Sequence, residues 1–183
     1  MIETYLGVLT TEQLAETLLD KDMNITQEDL DELGYIEALP EKDKAGNKYI
    51  TTQPVQFYVH NMNVGKWNLY DKDKLIAFAD TDKITIQPGY KWDGCTGIGE
   101  LYEDKYTLQA SILHDLLYEV LSIDGYEAKF SQLQADYWFS KLLEIVSGYK
   151  VLPKVYRAAL TALGTPYRLI SPDNSKLTIQ EVD

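Results

Sequence analysis

The chain has one cysteine, Cys95, and only two arginines, Arg157 and Arg168, among its 17 basic residues. A lone thiol excludes a disulfide framework and a multi-thiolate zinc site. With 29 acidic residues and a formal net charge of -12, the chain also lacks the clustered cations that a nucleic-acid footprint requires. No apolar run approaches the ~20 residues that a membrane span needs. The opening residues Met1-Ile2-Glu3-Thr4-Tyr5 have neither the basic start nor the apolar stretch of a secretory signal. These absences predict a soluble, acidic protein of a reducing compartment, with no nucleic-acid partner and no transmembrane segment.

What is present is ordinary globular material. With 183 residues, 45% hydrophobic and 25% charged, the chain can build a core without covalent staples. Its 14 tyrosines suit core packing and, for some, contact surfaces. Near the start, Thr10-Thr11-Glu12-Gln13 has the form of a capping box, followed by Leu14, Leu18 and Leu19. A second cap at Thr26 opens a short helix that Gly34 ends. The charged stretch Glu41–Lys48 reads as a linker or loop, and a soft boundary there divides an acidic helical arm, 1–48, from an α+β domain, 49–183.

Beyond that boundary the period changes. Val55–Val59, Lys66–Tyr70, Leu75–Ala79 and Lys83–Gln87 are short β-rich runs separated by polar turns, which predicts a small antiparallel sheet. The last third is helical. Residues Tyr106 to Leu121 are apolar almost all round and predict a buried helix. Ser131-Gln132-Leu133-Gln134 caps a second helix that runs to Val146 and stops at Gly148; Pro153 opens a third, ending at Gly164. The polar tail from Ser171 is expected to be loosely held. The fold class that follows is α+β: a helical arm, a small antiparallel sheet and a C-terminal helical unit.

Chemistry concentrates on the buried helix. In Leu113-His114-Asp115-Leu116-Leu117-Tyr118, His114 and Tyr118 share a face one turn apart, Asp115 lies about 100° round from His114, and Ser111 falls between them. On the following helix Leu133, Asp136, Phe139, Ser140 and Leu143 form one stripe, so Asp136 is a carboxylate on an apolar face. Two antiparallel helices would bring Asp136 against His114, fix the imidazole tautomer and raise its basicity. The segment Asp93-Gly94-Cys95-Thr96-Gly97-Ile98-Gly99 is glycine-rich, and its carbonyls together with Asp93 and Asp115 make a conceivable calcium cage. Cys95 reads as a small packing residue, and His60 as a surface or turn residue.

In order, Ile86–Thr96, Ile112–Tyr118 and Ala135–Phe139 resemble a bacteriophage and prophage family catalogued as domain of unknown function 1353, over about residues 80 to 165. The same order is similar to small secreted phospholipases of the A-two type, especially bacterial ones. That likeness implies His114 as the general base activating water, Asp136 orienting it, and Tyr118 bonded to Asp136. It further implies that Asp115 and the loop from Asp93 through Gly94 to Gly97 hold calcium, which stabilises an oxyanion. Two departures stand out: those enzymes tie the loop and helices with disulfides, whereas Cys95 has no partner cysteine, and the middle strands have no obvious equivalent.

Two readings therefore stand open. In one, the chain is a phage-encoded, calcium-assisted ester hydrolase using a His114–Asp136 dyad, with a membrane phospholipid as substrate. In the other it is a non-catalytic virion or assembly component in which the dyad only specifies helix packing. The acidic arm and tyrosines would then contact other phage or host proteins. Either reading implies the host cytoplasm or the assembled virion as its location. A small inhibitor of a host defence protein also fits the size and acidity, with no motif behind it.

Overall fold

In the computed structural model, residues 25–95, 103–150, 152–157 and 177–182 are described. The Thr10–Gln13 cap, Gly97 and Gly99, Arg168 and the stretch 158–164 of the third expected helix lie outside them. The first described helix, α1 (Gln27–Leu33), starts where its sequence dictates. The Thr26 hydroxyl accepts from the Asp29 N–H at 3.1 Å, the Asp29 carboxylate accepts from the Thr26 N–H at 3.0 Å, and Gly34 closes the helix at φ 69°. Leu30 is its buried residue.

Among the described residues eight strands follow in two antiparallel sheets, so the α+β class holds. The smaller sheet has the order β1 (Ile36–Ala38), β2 (Tyr49–Thr51), β7 (Lys91–Trp92). The 41–48 stretch, where the sequence carries its soft boundary, is the loop between the paired strands β1 and β2. The larger sheet has the order β3 (Val55–Tyr58), β6 (Lys83–Ile86), β5 (Lys74–Thr81), β4 (Gly65–Asp71), β8 (Leu177–Glu181). Strand β4 shows the expected alternation: Gly65, Trp67 and Leu69 point inward, while Lys66 and Asp71 are exposed. Only the four runs of the middle region are foreseen as strands. The tail differs from expectation, because residues 177–181 are not loose but pair with β4 from Asp71↔Leu177 to Trp67↔Glu181. The reason is local: Leu177 and Ile179 alternate with exposed Thr178 and Gln180, a two-residue period that fits an open sheet edge.

Two long helices complete the fold. Helix α2 (Lys105–Leu121) is capped by Asp104, whose carboxylate accepts from the N–H groups of Tyr106 and Thr107 at 3.1 and 2.8 Å. In α3 (Gln132–Ser147) the Gln134 side chain reaches back to the Ser131 N–H at 2.9 Å, and Gly148 ends the helix at φ 71°. Asp104 and Tyr106, at the start of α2, meet Tyr149 just beyond the end of α3, while His114 meets Asp136 further along. The pair is therefore antiparallel. Residues 152–157 add a short helical segment. The main core joins both sheets to one side of α2, through Trp67, Leu69, Ile84, Ile86 and Trp92 against Leu108, Ile112, Leu113, Leu116 and Leu117. A smaller cluster gathers Cys95, Ala110, Phe139, Leu143, Leu152 and Tyr156. Among the described residues no helix is long and apolar enough to cross a membrane.

A candidate active site between two helices and a glycine turn

His114 needs help to sit where it does. An imidazole that is 8% exposed on a helix of leucines must find partners or lose hydrogen bonds worth about 1–3 kcal/mol. It finds two carboxylates. Its Nε2 lies 3.1 Å from Asp136 Oδ1, on α3, and its Nδ1 lies 3.5 Å from Asp115 Oδ1, on its own helix. The Tyr118 hydroxyl, one turn further along α2, donates to the same Asp136 Oδ1 at 2.6 Å. His114, Tyr118 and Asp136 thus meet as the sequence pattern predicts. The imidazole packs 4.3 Å from the Tyr118 ring, centroid to centroid, and edge-on to Phe139 at 5.3 Å, so aromatic walls exclude water from this side.

The electrostatics follow from that enclosure. Burial alone would push the His114 pKa down, but the facing carboxylates of Asp115 and Asp136 outweigh it and hold the pKa above its usual value. Asp136 is fully buried, and its Oδ2 has no hydrogen-bond partner. The Tyr118 phenol is pushed up, first by burial and then by its bond to Asp136.

Asp115 stands at the other end of the imidazole. Its side chain is 24% exposed, yet Oδ2 is closed off and lacks a hydrogen-bond partner. Burial pushes its pKa up to about 8; the His114 contact eases the rise, and the negative charge of Asp93 adds to it. Asp93 belongs to the turn after β7, so the structure does bring Asp93 against Asp115 as the sequence predicts. Gly94, next in the chain, has φ 78°, and a Cβ there would collide with Glu103 Oε1. Gly97 lies outside the described residues. Among the described residues no three histidine, cysteine or acidic side chains converge as a ready metal cage. Two adjacent carboxylates, one with an orphaned buried oxygen, are nonetheless the donor chemistry that a hard cation takes.

Three side chains that hold this site together escape a reading of motifs. Glu103 accepts from the Cys95 N–H at 3.0 Å and from the Tyr49 hydroxyl at 2.9 Å, so it clasps both ends of the glycine loop to β2. The Trp92 indole donates to Ser111 Oγ at 3.0 Å and thereby fastens β7 to α2. Ser111, singled out for its place beside His114, serves that contact. Glu119, one turn beyond Asp115, has its pKa pushed up to about 8 by burial and by the charge of Asp115. It stands at i+4 from Asp115, on the same face of α2. Cys95 is buried, and its thiol, pushed far up by burial, bonds the Thr107 carbonyl at 3.4 Å, consistent with a packing role. His60 lies in a turn, 73% exposed.

The chain matches no family model, no curated protein and no solved structure.

Proposed function

We propose that the chain is a hydrolase of carboxylic esters, with phospholipids as the substrate class, in which His114 is the general base. One observation carries this reading: Asp136 Oδ1 accepts from His114 Nε2 and from the Tyr118 hydroxyl together, in the seam between α2 and α3. A carboxylate with two donors on one oxygen holds the Nε2–H tautomer and leaves the lone pair on Nδ1. Nδ1 is therefore the atom that takes a proton from water. The hydroxide attacks the ester carbonyl, the tetrahedral intermediate collapses, and the proton on Nδ1 passes to the departing alcohol. Asp136 steadies the imidazolium between these steps, and Tyr118 keeps Asp136 from turning.

Asp115 and Asp93 would hold a calcium ion, with further oxygens from the loop that includes Gly94 and Gly97. When bound, such a cation supplies positive charge to the oxygen on which negative charge develops. Phospholipid as the substrate class rests on the likeness of the His114–Tyr118 helix and Asp136 to phospholipases of the A-two type.

Fatty-acid release from phosphatidylcholine and phosphatidylglycerol vesicles, and hydrolysis of a soluble aryl ester, test the proposal. The wild type should hydrolyse at least one of them in calcium, and His114→Gln should lower the rate by about 10²-fold or more while remaining folded. No hydrolysis of any of these substrates, or an unchanged rate in His114→Gln, would leave the dyad as a device of helix packing.

A further inference from the structure

Helix α3 turns one side to the core and carries a second apolar stripe on the other. Among the described residues five large hydrophobic side chains are exposed. Three of them, Leu133 (61%), Tyr137 (40%) and Ile145 (61%), belong to this helix. At 3.6 residues per turn these three, with Lys141 and Glu144, fall within a sector of about 120°, facing away from the buried Asp136, Phe139 and Leu143. Single exposed hydrophobics are ordinary, whereas a row of them marks a contact surface. The charges on the stripe are also arranged. Lys141 and Glu144 pair at 2.9 Å, and the Arg157 guanidinium lies 5.1 Å from the centre of the Tyr137 ring. The acid of the stripe is thus already neutralised, in a chain whose net charge is -12.

We propose that the outer face of α3 docks a second copy of this chain, helix against helix and antiparallel, about a two-fold axis level with position 139. The stripe is self-complementary under that operation. Leu133 and Ile145 stand six residues to either side of position 139, and Tyr137 and Lys141 stand two to either side. Leu133 therefore meets Ile145 of the second copy, and the Tyr137 ring meets the Lys141 ammonium of the second copy, each contact being made twice. Glu144 of the second copy comes level with Gln134, about one turn from Tyr137 and the Arg157 guanidinium above it, so each copy offers the other an acid for an exposed cation. Charge favours this face as well: two such acidic chains repel, and their approach costs least where the acid is already paired. A helix of 16 residues is about 24 Å long, and one face of it buries less than the ~1,600 Å² of a standard interface, so the dimer is weak and concentration-dependent. Asp136 lies on the buried side of the same helix, so the dimer stands or falls apart from ester hydrolysis.

Sedimentation velocity of the full chain tests this, from about 10 μM to about 1 mM and in about 0.5 M sodium chloride, which screens the repulsion between acidic copies. The wild type should pass from monomer to dimer over that range. Leu133→Lys and Ile145→Lys each put a charge into the seam and should weaken dimerisation about tenfold or more. Both positions are exposed, so the two variants should melt close to the wild type. Tyr58→Lys, which alters an exposed ring on β3 away from the stripe, should dimerise as the wild type does. Register is read by cross-linking. Leu133→Cys mixed with Ile145→Cys should give a mixed disulfide under mild oxidation. Leu133→Cys alone should not couple, because its two copies lie about 18 Å apart along the pair, and the native Cys95 is buried. A wild type that stays monomeric throughout, a dimer indifferent to both lysine variants at 133 and 145, or Leu133→Cys coupling to itself would overturn the proposal.

Discussion

At the scale of single residues, Asp136 is served unequally on its two oxygens. One of its oxygens takes two donors and the other takes none, both inside a fully buried side chain. Removing one donor is therefore a clean perturbation. Tyr118→Phe should destabilise the fold by about 1–2 kcal/mol in urea unfolding, and in the hydrolase it should also loosen the imidazole. The dyad is legible in sequence for a physical reason. His114 and Tyr118 at one-turn spacing, and an aspartate on a stripe of Leu133, Phe139 and Leu143, are polar groups in places where solvation is absent. Glu119 is illegible by the same rule. It follows Tyr118 and precedes Val120 and looks like a surface glutamate, because the groups that act on it, Tyr90 and Asp93, are far away in sequence.

At the scale of elements, the stem of the glycine loop is held by contacts that no periodicity announces. Glu103 occupies the space where a side chain at position 94 would lie, and φ 78° there is costly for any residue with a Cβ. Gly94→Ala should cost about 2 kcal/mol or more, partly from the backbone and partly from Glu103. In a double-mutant cycle with Glu103→Ala the two losses should fall short of additive, because the collision then has no partner; a strictly additive result would remove Glu103 from the loop's support. The long helices and the middle strands were readable because capping boxes and alternation are local signals. Strands β1, β2 and β7 were not, being two or three residues long and defined by their partners rather than by their own pattern. Strand β8 hid in a polar tail because an edge strand needs only its alternate residues to be apolar.

For the whole molecule, charge sets the response to pH. Asp115 and Glu119 both have pKa values pushed up to about 8 in the folded chain, against unfolded values near 3.8 and 4.5. Between those limits the folded state binds more protons than the unfolded one, so stability falls as pH rises. The raised pKa of His114 acts in the same direction: the stability it contributes is complete below pH 6.5 and is lost as pH climbs through its folded value. In chelator the melting temperature should therefore be higher near pH 5 than near pH 8.5. Glu119→Gln should flatten the slope by raising the melting temperature at the alkaline end, read by calorimetry across that range. A wild-type profile that rises with pH over this interval would contradict the burial of these acids.

The pairing of β8 with β4 also bears on how the chain is made. Strand β4 belongs to the middle of the chain and its edge partner arrives only after both long helices. A growing polypeptide leaving the ribosome thus carries a row of unpaired amides along β4 until the last ladder forms, and during that interval another nascent copy could take the vacant place.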